Sequence, residues 1–300
     1  YNVSRDHFLQ FFDKQSQLGR TFMYDGVLYP TMVCCPEILK RIHTFRARED
    51  DIILVSYPKT GSNWVQQILM LLEVASGKYE EDEQKQRLQK LQELSQFFFL
   101  EFGEPEKFES LLKISIWSSR FYIYMSIYDF ALKILVLLRN PKDTAVSFFH
   151  FSKGIRLISD QETWDEYFEA FITGKVVYGS YFDYIVEWNK YLDDSNIFFI
   201  TYEEIKEVTS SLKKIAKFFD FSVTEEKIES IVKETHFETM KNNAGTFGKV
   251  GQILFRKGIV GDWTSVFSES QNEKMDRKFE ETVAKTKLGM KLKYEVYCKN

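Results

Sequence analysis

Along the 300-residue chain, short continuous apolar runs alternate with longer stretches whose apolar residues return at helical spacing. Ile52–Ser56 is a β-branched run, followed by a turn and then by WVQQILMLLEVAS (64–76) in helical register. Lys133–Leu138 repeats the plan, leading through RNPKDT into the helical pattern AVSFFHFSK (145–153). A third run, Asn196–Tyr202, follows two helical segments, TWDEYFEAFITG (163–174) and SYFDYIVEWNKYL (180–192). Strands that are apolar throughout are buried on both faces, and helices between them make parallel connections. The pattern predicts a three-layer α/β/α fold around a central parallel sheet, with ligands beyond the carboxyl ends of its strands. No repeat and no Pro/Gly/Ser-rich linker divides the chain, so residues 1–300 read as a single domain. The charge-dense stretch 77–96 reads as a solvated helix or loop.

Charge and composition narrow the function classes. A net charge of −4 argues against binding to a nucleic-acid backbone as a whole, although a small anion can still be held by a few local cations. Three Cys, two of them adjacent (Cys34, Cys35), and four His without ligand spacing predict reduced thiols and no metal site. The longest apolar runs, such as FALKILVLL, are too short to span a bilayer. The expectation is a soluble cytoplasmic protein that binds neither nucleic acid nor membrane. With 28 Phe and 16 Tyr, the core or a pocket must be rich in rings.

Three basic loops supply candidate chemistry. YPKTGSNW (57–64) sits between a buried strand and a helix, where backbone N–H groups can cradle an anion. Gly61 allows close approach, Ser62 and Asn63 offer polar groups, and Lys59 adds charge. The spacing is not that of a Walker A loop, because Lys59 precedes Gly61, so a single phosphate or a phosphosulfate fits better than a nucleoside triphosphate with magnesium. Arg139 ends the second strand, and Ser147 lies about two helical turns beyond it, so both can reach one phosphate. In FRKGIVGDW (255–263), Arg256, Lys257 and Gly258 form a glycine-flanked basic pair suited to cover an anion.

Together YPKTGSNW, RNPKDTAVSFFHF and RKGIVGDWTSVFSESQNE resemble the cytosolic sulfotransferases, in order and separation, from about residue 20 to the C-terminus. The nearest likeness is to the sixth vertebrate branch. The resemblance implies 3′-phosphoadenosine-5′-phosphosulfate (PAPS) as donor, no metal, and a small-molecule acceptor. It assigns Lys59, Thr60, Gly61, Ser62, Asn63 and Trp64 to the 5′-phosphosulfate side, with Trp64 near the adenine. Arg139, Ser147, Arg256, Lys257 and Gly258 match the 3′-phosphate contacts, with Phe255 beside them. Tyr202, Thr235, Phe237 and Met240 match the adenine contacts, and His236 stands where Ser or Thr is usual.

One block departs from the family. Its strand Pro-Arg-x-x-x-Thr-His-Leu carries the catalytic base, and the matching stretch here is SRFYIYMSIY (119–128). Anchored on Arg120, the alignment puts Met125 at the histidine, Tyr124 at the threonine, and Ile123 where many members carry Lys. The span from Arg120 to Lys133 is also short for the family. A thioether accepts no proton at neutral pH, which leaves Lys59 to stabilise the transferred group. The expectation is a weak sulfotransferase favouring phenols, whose protons leave most readily, or a catalytically dead binder of PAPS and its product. His150, three residues from Ser147, is a weak substitute base, since its ring can equally pack among Phe148, Phe149 and Phe151. Those rings, with Tyr122, Tyr124 and Tyr128, read either as acceptor lining or as core. The family's Lys-x-x-x-Thr-Val-x-x-x-Glu dimer contact keeps only Glu273, so a family-type homodimer is not supported.

Overall fold

The computed structural model describes residues 19–31, 33–42, 51–77, 82, 114–117, 132–155, 161–243 and 253–299, with backbone alone at 41–42 and 114–117. Arg120 to Tyr128, Met125 included, lie outside the described residues, as do most of the charge-dense stretch, His7 and His43.

A hairpin, β1 (Thr21–Tyr24) and β2 (Val27–Pro30), precedes helix α1 (Pro36–Ile42). The central sheet holds β3 (Ile52–Ser56), β4 (Ile114–Trp117), β5 (Lys133–Leu138) and β6 (Ile197–Thr201). All its pairings are parallel, in the order β4-β3-β5-β6. Helix α2 (Ser62–Ala75) follows β3 and α3 (Pro141–Gly154) follows β5. Helices α4 (Trp164–Ile172) and α5 (Tyr181–Asn189) lead into β6, and the short α6 (Tyr202–Ile205) leaves it. Then come α7 (Val208–Phe218), α8 (Glu225–Glu234), α9 (Phe237–Asn242), α10 (Glu269–Thr282), α11 (Lys287–Lys291) and α12 (Tyr294–Tyr297).

The strands at 52–56, 133–138 and 197–201 stand where the apolar runs predict them. β4 and the β1–β2 hairpin escape the pattern, because four-residue strands are too short to separate from noise. Successive strand side chains face opposite ways, so β3, β5 and β6 each feed two cores. Ile53, Val55, Ile134, Val136, Leu138 and Phe199 pack on one face with rings of α3, α4 and α5. Ile52, Leu54, Leu135, Leu137 and Ile200 pack on the other with α2, α7 and α8. This double burial is what makes the strands apolar without alternation.

Among the described residues, most of the rings belong to the core. Tyr57, Phe148, Phe171, Tyr181 and Tyr184 meet at ring separations of 5.2–6.4 Å beneath the end of β3. Phe148 and Phe149 are buried in this cluster rather than lining a cleft, which settles their two readings in favour of packing. The buried Tyr57 hydroxyl donates to the Gly179 carbonyl at 2.8 Å, anchoring the residue from which the first basic loop departs. Tyr57→Phe is expected to cost about 1–2 kcal/mol, the range for losing one such bond and leaving its acceptor bare. Denaturant unfolding checks it; an unchanged midpoint refutes the anchor.

Candidate functional site

Three chain segments meet beyond the carboxyl ends of β3, β5 and β6: the turn 57–61, Arg139 with α3, and Tyr202 on α6. The turn is tight. Lys59 has φ 69° and Gly61 φ 106°, and a Cβ on Gly61 would lie 2.9 Å from the Tyr202 ring. Only glycine takes both that conformation and that approach without strain. Thr60 stays inside the turn, its hydroxyl donating to the Tyr57 carbonyl at 2.7 Å. Gly61 brings no side chain to cap α2, whereas α3, α4, α5, α8 and α10 are capped by Asn140, Thr163, Ser180, Thr224 and Ser268. The first N–H groups of α2, at Ser62 and Asn63, thus receive no side-chain cap at the positive end of the helix dipole.

Arg139 is the hub. Its side chain is buried, stacked 4.3 Å over Tyr202, and donates to the Lys59 carbonyl at 3.0 Å and the Ile259 carbonyl at 3.2 Å. It therefore ties the turn after β3 to the C-terminal basic loop. Its Nε, fully buried, has no hydrogen-bond partner. Asp143, one turn along α3, stands 3.9 Å away and accepts from the backbone N–H groups of Gly261 at 2.8 Å and Trp263 at 3.1 Å. The same carboxylate closes the Asn140 cap at 2.8 Å. Lys142, buried beside it, pairs with Asp276 at 2.6 Å and lies 4.4 Å over the Trp263 ring.

Lys59 lies 4.3 Å over the ring of Phe151, and Ser147, one turn earlier on α3, shares that face. Burial, with the like charges of Arg139 and Arg256, lowers the Lys59 ammonium to about 7. Arg256 and Lys257 both pair with Asp262. Burial works against charge on Asp262, but hydrogen bonds from Lys257 and Arg256 outweigh it and hold the carboxyl below its usual range. His150 lies within the field of this loop. Burial and the charge of Arg256 lower it further into the neutral form, against the opposing pull of Asp262. Its charged neighbours are Arg256, Asp262 and Lys257 of the basic loop, with Lys153 on its own helix.

The aromatic side is equally well gathered. Trp64 and Tyr202 meet edge to face at 5.5 Å, and the Trp64 indole N–H donates to the Thr235 carbonyl at 2.9 Å. Met240 and Phe255 form a small buried cluster against Trp64, Phe237 and Leu254. Thr235 spends its hydroxyl on the Ile231 carbonyl at 2.7 Å, so it supports the tryptophan rather than presenting a free polar group. His236 caps α9 with its backbone alone. Sequence reading passed over Asp143, Asp262 and Lys206. The first two stand inside quoted motifs, and Lys206 follows Tyr202 by four residues, a spacing that would have placed it on the same helical face.

Among the described residues, no group of three or more His, Cys, Asp or Glu side chains is placed to hold a metal, and no helix is long and apolar enough to cross a membrane. Turn, uncapped helix and converging cations beyond a parallel sheet define an α/β anion-binding protein with a P-loop-like turn.

Comparison with known proteins makes that class specific. Residues 49–287 match the sulfotransferase domain, and the chain belongs to the sulfotransferase family. It is 42% identical to mouse sulfotransferase 6B1, covering 95% of this chain and 93% of that one, and 41% identical to the human protein over 99% of each. Human sulfotransferase 2A1 is 31% identical over 87% of this chain and 94% of its own. The crystal structure of mouse sulfotransferase SULT7A1 complexed with PAP superposes with TM-score 0.78 at 31% identity, covering 93% of this chain and 99% of that one. The sixth-branch likeness read from the motifs agrees with these relatives.

Proposed function

We propose that the chain is a PAPS-dependent sulfotransferase acting on the hydroxyl of a hydrophobic small molecule, phenols above all. The observation that carries the reading is the convergence of Lys59, Arg139, Arg256 and Lys257 beside an aromatic cluster. Among the described residues, Asp143 and Asp262 are the carboxylates in ion-pair contact with those cations, which leaves an excess of positive charge. The buried, unpartnered Arg139 Nε and the uncapped start of α2 fit an incoming phosphate or phosphosulfate. The structure of the relative complexed with PAP, the desulfo product of PAPS, supports the same donor.

In this reading the donor supplies the sulfuryl group. The turn 59–63 holds its 5′ end, with Lys59 stabilising the charge that develops there. Arg139, Ser147, Arg256, Lys257 and Gly258 hold the 3′-phosphate, with Phe255 beside them. Trp64, Tyr202, Phe237 and Met240 enclose the base, and Thr235 fixes Trp64. Phenols suit a site whose expected base position carries Met125, because their protons need the least help in leaving. The whole chain acts as one sulfotransferase unit, and Cys34, Cys35 and Cys298, none of them in a disulfide, suit a reducing cytoplasm. A family-type homodimer is not expected, as only Glu273 of its contact motif is present.

Titration with PAP tests the donor site. Lys59 sits at about 7 when free, and an anion beside it raises that value. Binding therefore takes up a proton between pH 7 and the bound-state value, so affinity falls as pH rises through that window. Calorimetry in buffers of different ionisation enthalpy should show the uptake, and Lys59→Arg should abolish it. No binding overturns the donor reading. Uptake that persists in Lys59→Arg overturns the role of Lys59.

A further inference from the structure

Lys206 is a cation that neither the motifs nor the donor contacts use. It is the C-cap residue of α6, four residues after Tyr202, on a helix held by the Thr201–Glu204 capping box and by the Ser211 hydroxyl on the Glu204 carbonyl at 2.8 Å. Its ammonium donates to the Gly258 carbonyl, immediately after Arg256 and Lys257. The same ammonium lies 5.4 Å from the Trp64 ring centre and 5.5 Å from that of Tyr202. Gly258 itself is pressed against Phe237, where a Cβ would come within 2.3 Å of the ring, and it has φ 66°.

The carbonyls of two successive residues are thus held by cations from two different strand ends: Gly258 by Lys206 after β6, and Ile259 by Arg139 after β5. Asp143 takes the next N–H groups, at Gly261 and Trp263. Arg139 is enclosed, whereas Lys206 is largely exposed and sits at the outer edge of the aromatic pair. A bond on the solvent side of a loop is the one that can open while the others hold.

We propose that Lys206 is a positioning residue, a latch that draws the Arg256–Lys257–Gly258 loop over the Trp64–Tyr202 pair and so sets the affinity for the 3′-phosphate and the release of the spent nucleotide. This rests on the donor reading above. Cation–aromatic attraction holds the ammonium over the rings, and its hydrogen bond fixes the peptide that follows the two phosphate-binding side chains. The latch acts through those side chains, so it discriminates nucleotides by their 3′-phosphate rather than by their base.

The test compares PAP with adenosine 5′-monophosphate, which has the same base and 5′ group but no 3′-phosphate. Lys206→Met is expected to weaken PAP binding about 10–30-fold, chiefly through faster dissociation, with adenosine 5′-monophosphate changed less than about threefold; Lys206→Arg should restore most of the loss. In the ligand-free protein, amide exchange over 256–261 should speed up in Lys206→Met and return towards the parent rate in Lys206→Arg. Equal losses for both nucleotides, or no loss for either, overturn the latch. If the parent chain binds no PAP, the donor reading fails, and unchanged exchange over 256–261 independently refutes the latch. Should Lys206→Met unfold, Lys206→Gln carries the same comparison.

Discussion

Arg139→Ala is expected to weaken PAP binding about 10²–10³-fold, a loss of about 3–4 kcal/mol. A bidentate guanidinium grip comprises two charge-assisted bonds, each worth about 1.5–3 kcal/mol, and water recovers part of that when the site opens. The substitution also uncovers the Tyr202 face and cuts both tethers, to the Lys59 and Ile259 carbonyls. Arg139→Lys keeps the charge but not the fork, and should fall between parent and alanine variant. Calorimetry with PAP reads the affinities, and an unfolding curve reads how much stability the buried side chain carries. Alanine-variant binding within threefold of the parent would remove Arg139 from the site and reduce it to a structural tie.

Met125→His is expected to raise sulfuryl transfer to a small phenol about 10²–10⁴-fold, which is about 3–5 kcal/mol of barrier. The balance of the reaction sets the reason. As the acceptor oxygen forms its bond to sulfur and the bond to the 5′-phosphate oxygen breaks, the acceptor proton must go to a base, and the methionine that the alignment puts at that position offers none. The gain should be larger for an aliphatic alcohol than for a phenol, because the alcohol's proton is harder to remove. A radiolabelled sulfuryl-transfer assay checks both. Turnover only in the variant would establish the natural chain as a nucleotide-binding pseudoenzyme; equal turnover in both would show that Met125 does not stand at the base position.

Much of the site was readable because it is built from local sequence. The turn 57–61 needs glycine at φ 106°, the cap of α3 needs Asn140 before Pro141, and a parallel strand must be apolar on both faces; each demand leaves a residue type at a set place. What could not be read joins residues far apart in the chain. Asp143 meets Gly261 and Trp263, Trp64 meets Thr235, and Lys206 meets Gly258. A carboxylate, an indole N–H and an ammonium can each satisfy many partners, so their residue types do not specify which one. Phe148 and Phe149 show the same limit, for a ring in a helix carries no mark of whether it faces a core or a cleft.

The sequence by itself determined the layers, three of the four strands of the central sheet, and the three basic blocks of the sulfotransferase family, because turn geometry and two-sided burial write themselves into neighbouring residues. Tertiary structure alone decided that these blocks converge, with Arg139 joining two of them. It also decided that Lys59, ordinary in sequence, has its ammonium lowered to about 7. That value depends on burial and on charges brought together from residues 59, 139 and 256, and only folding sets those distances.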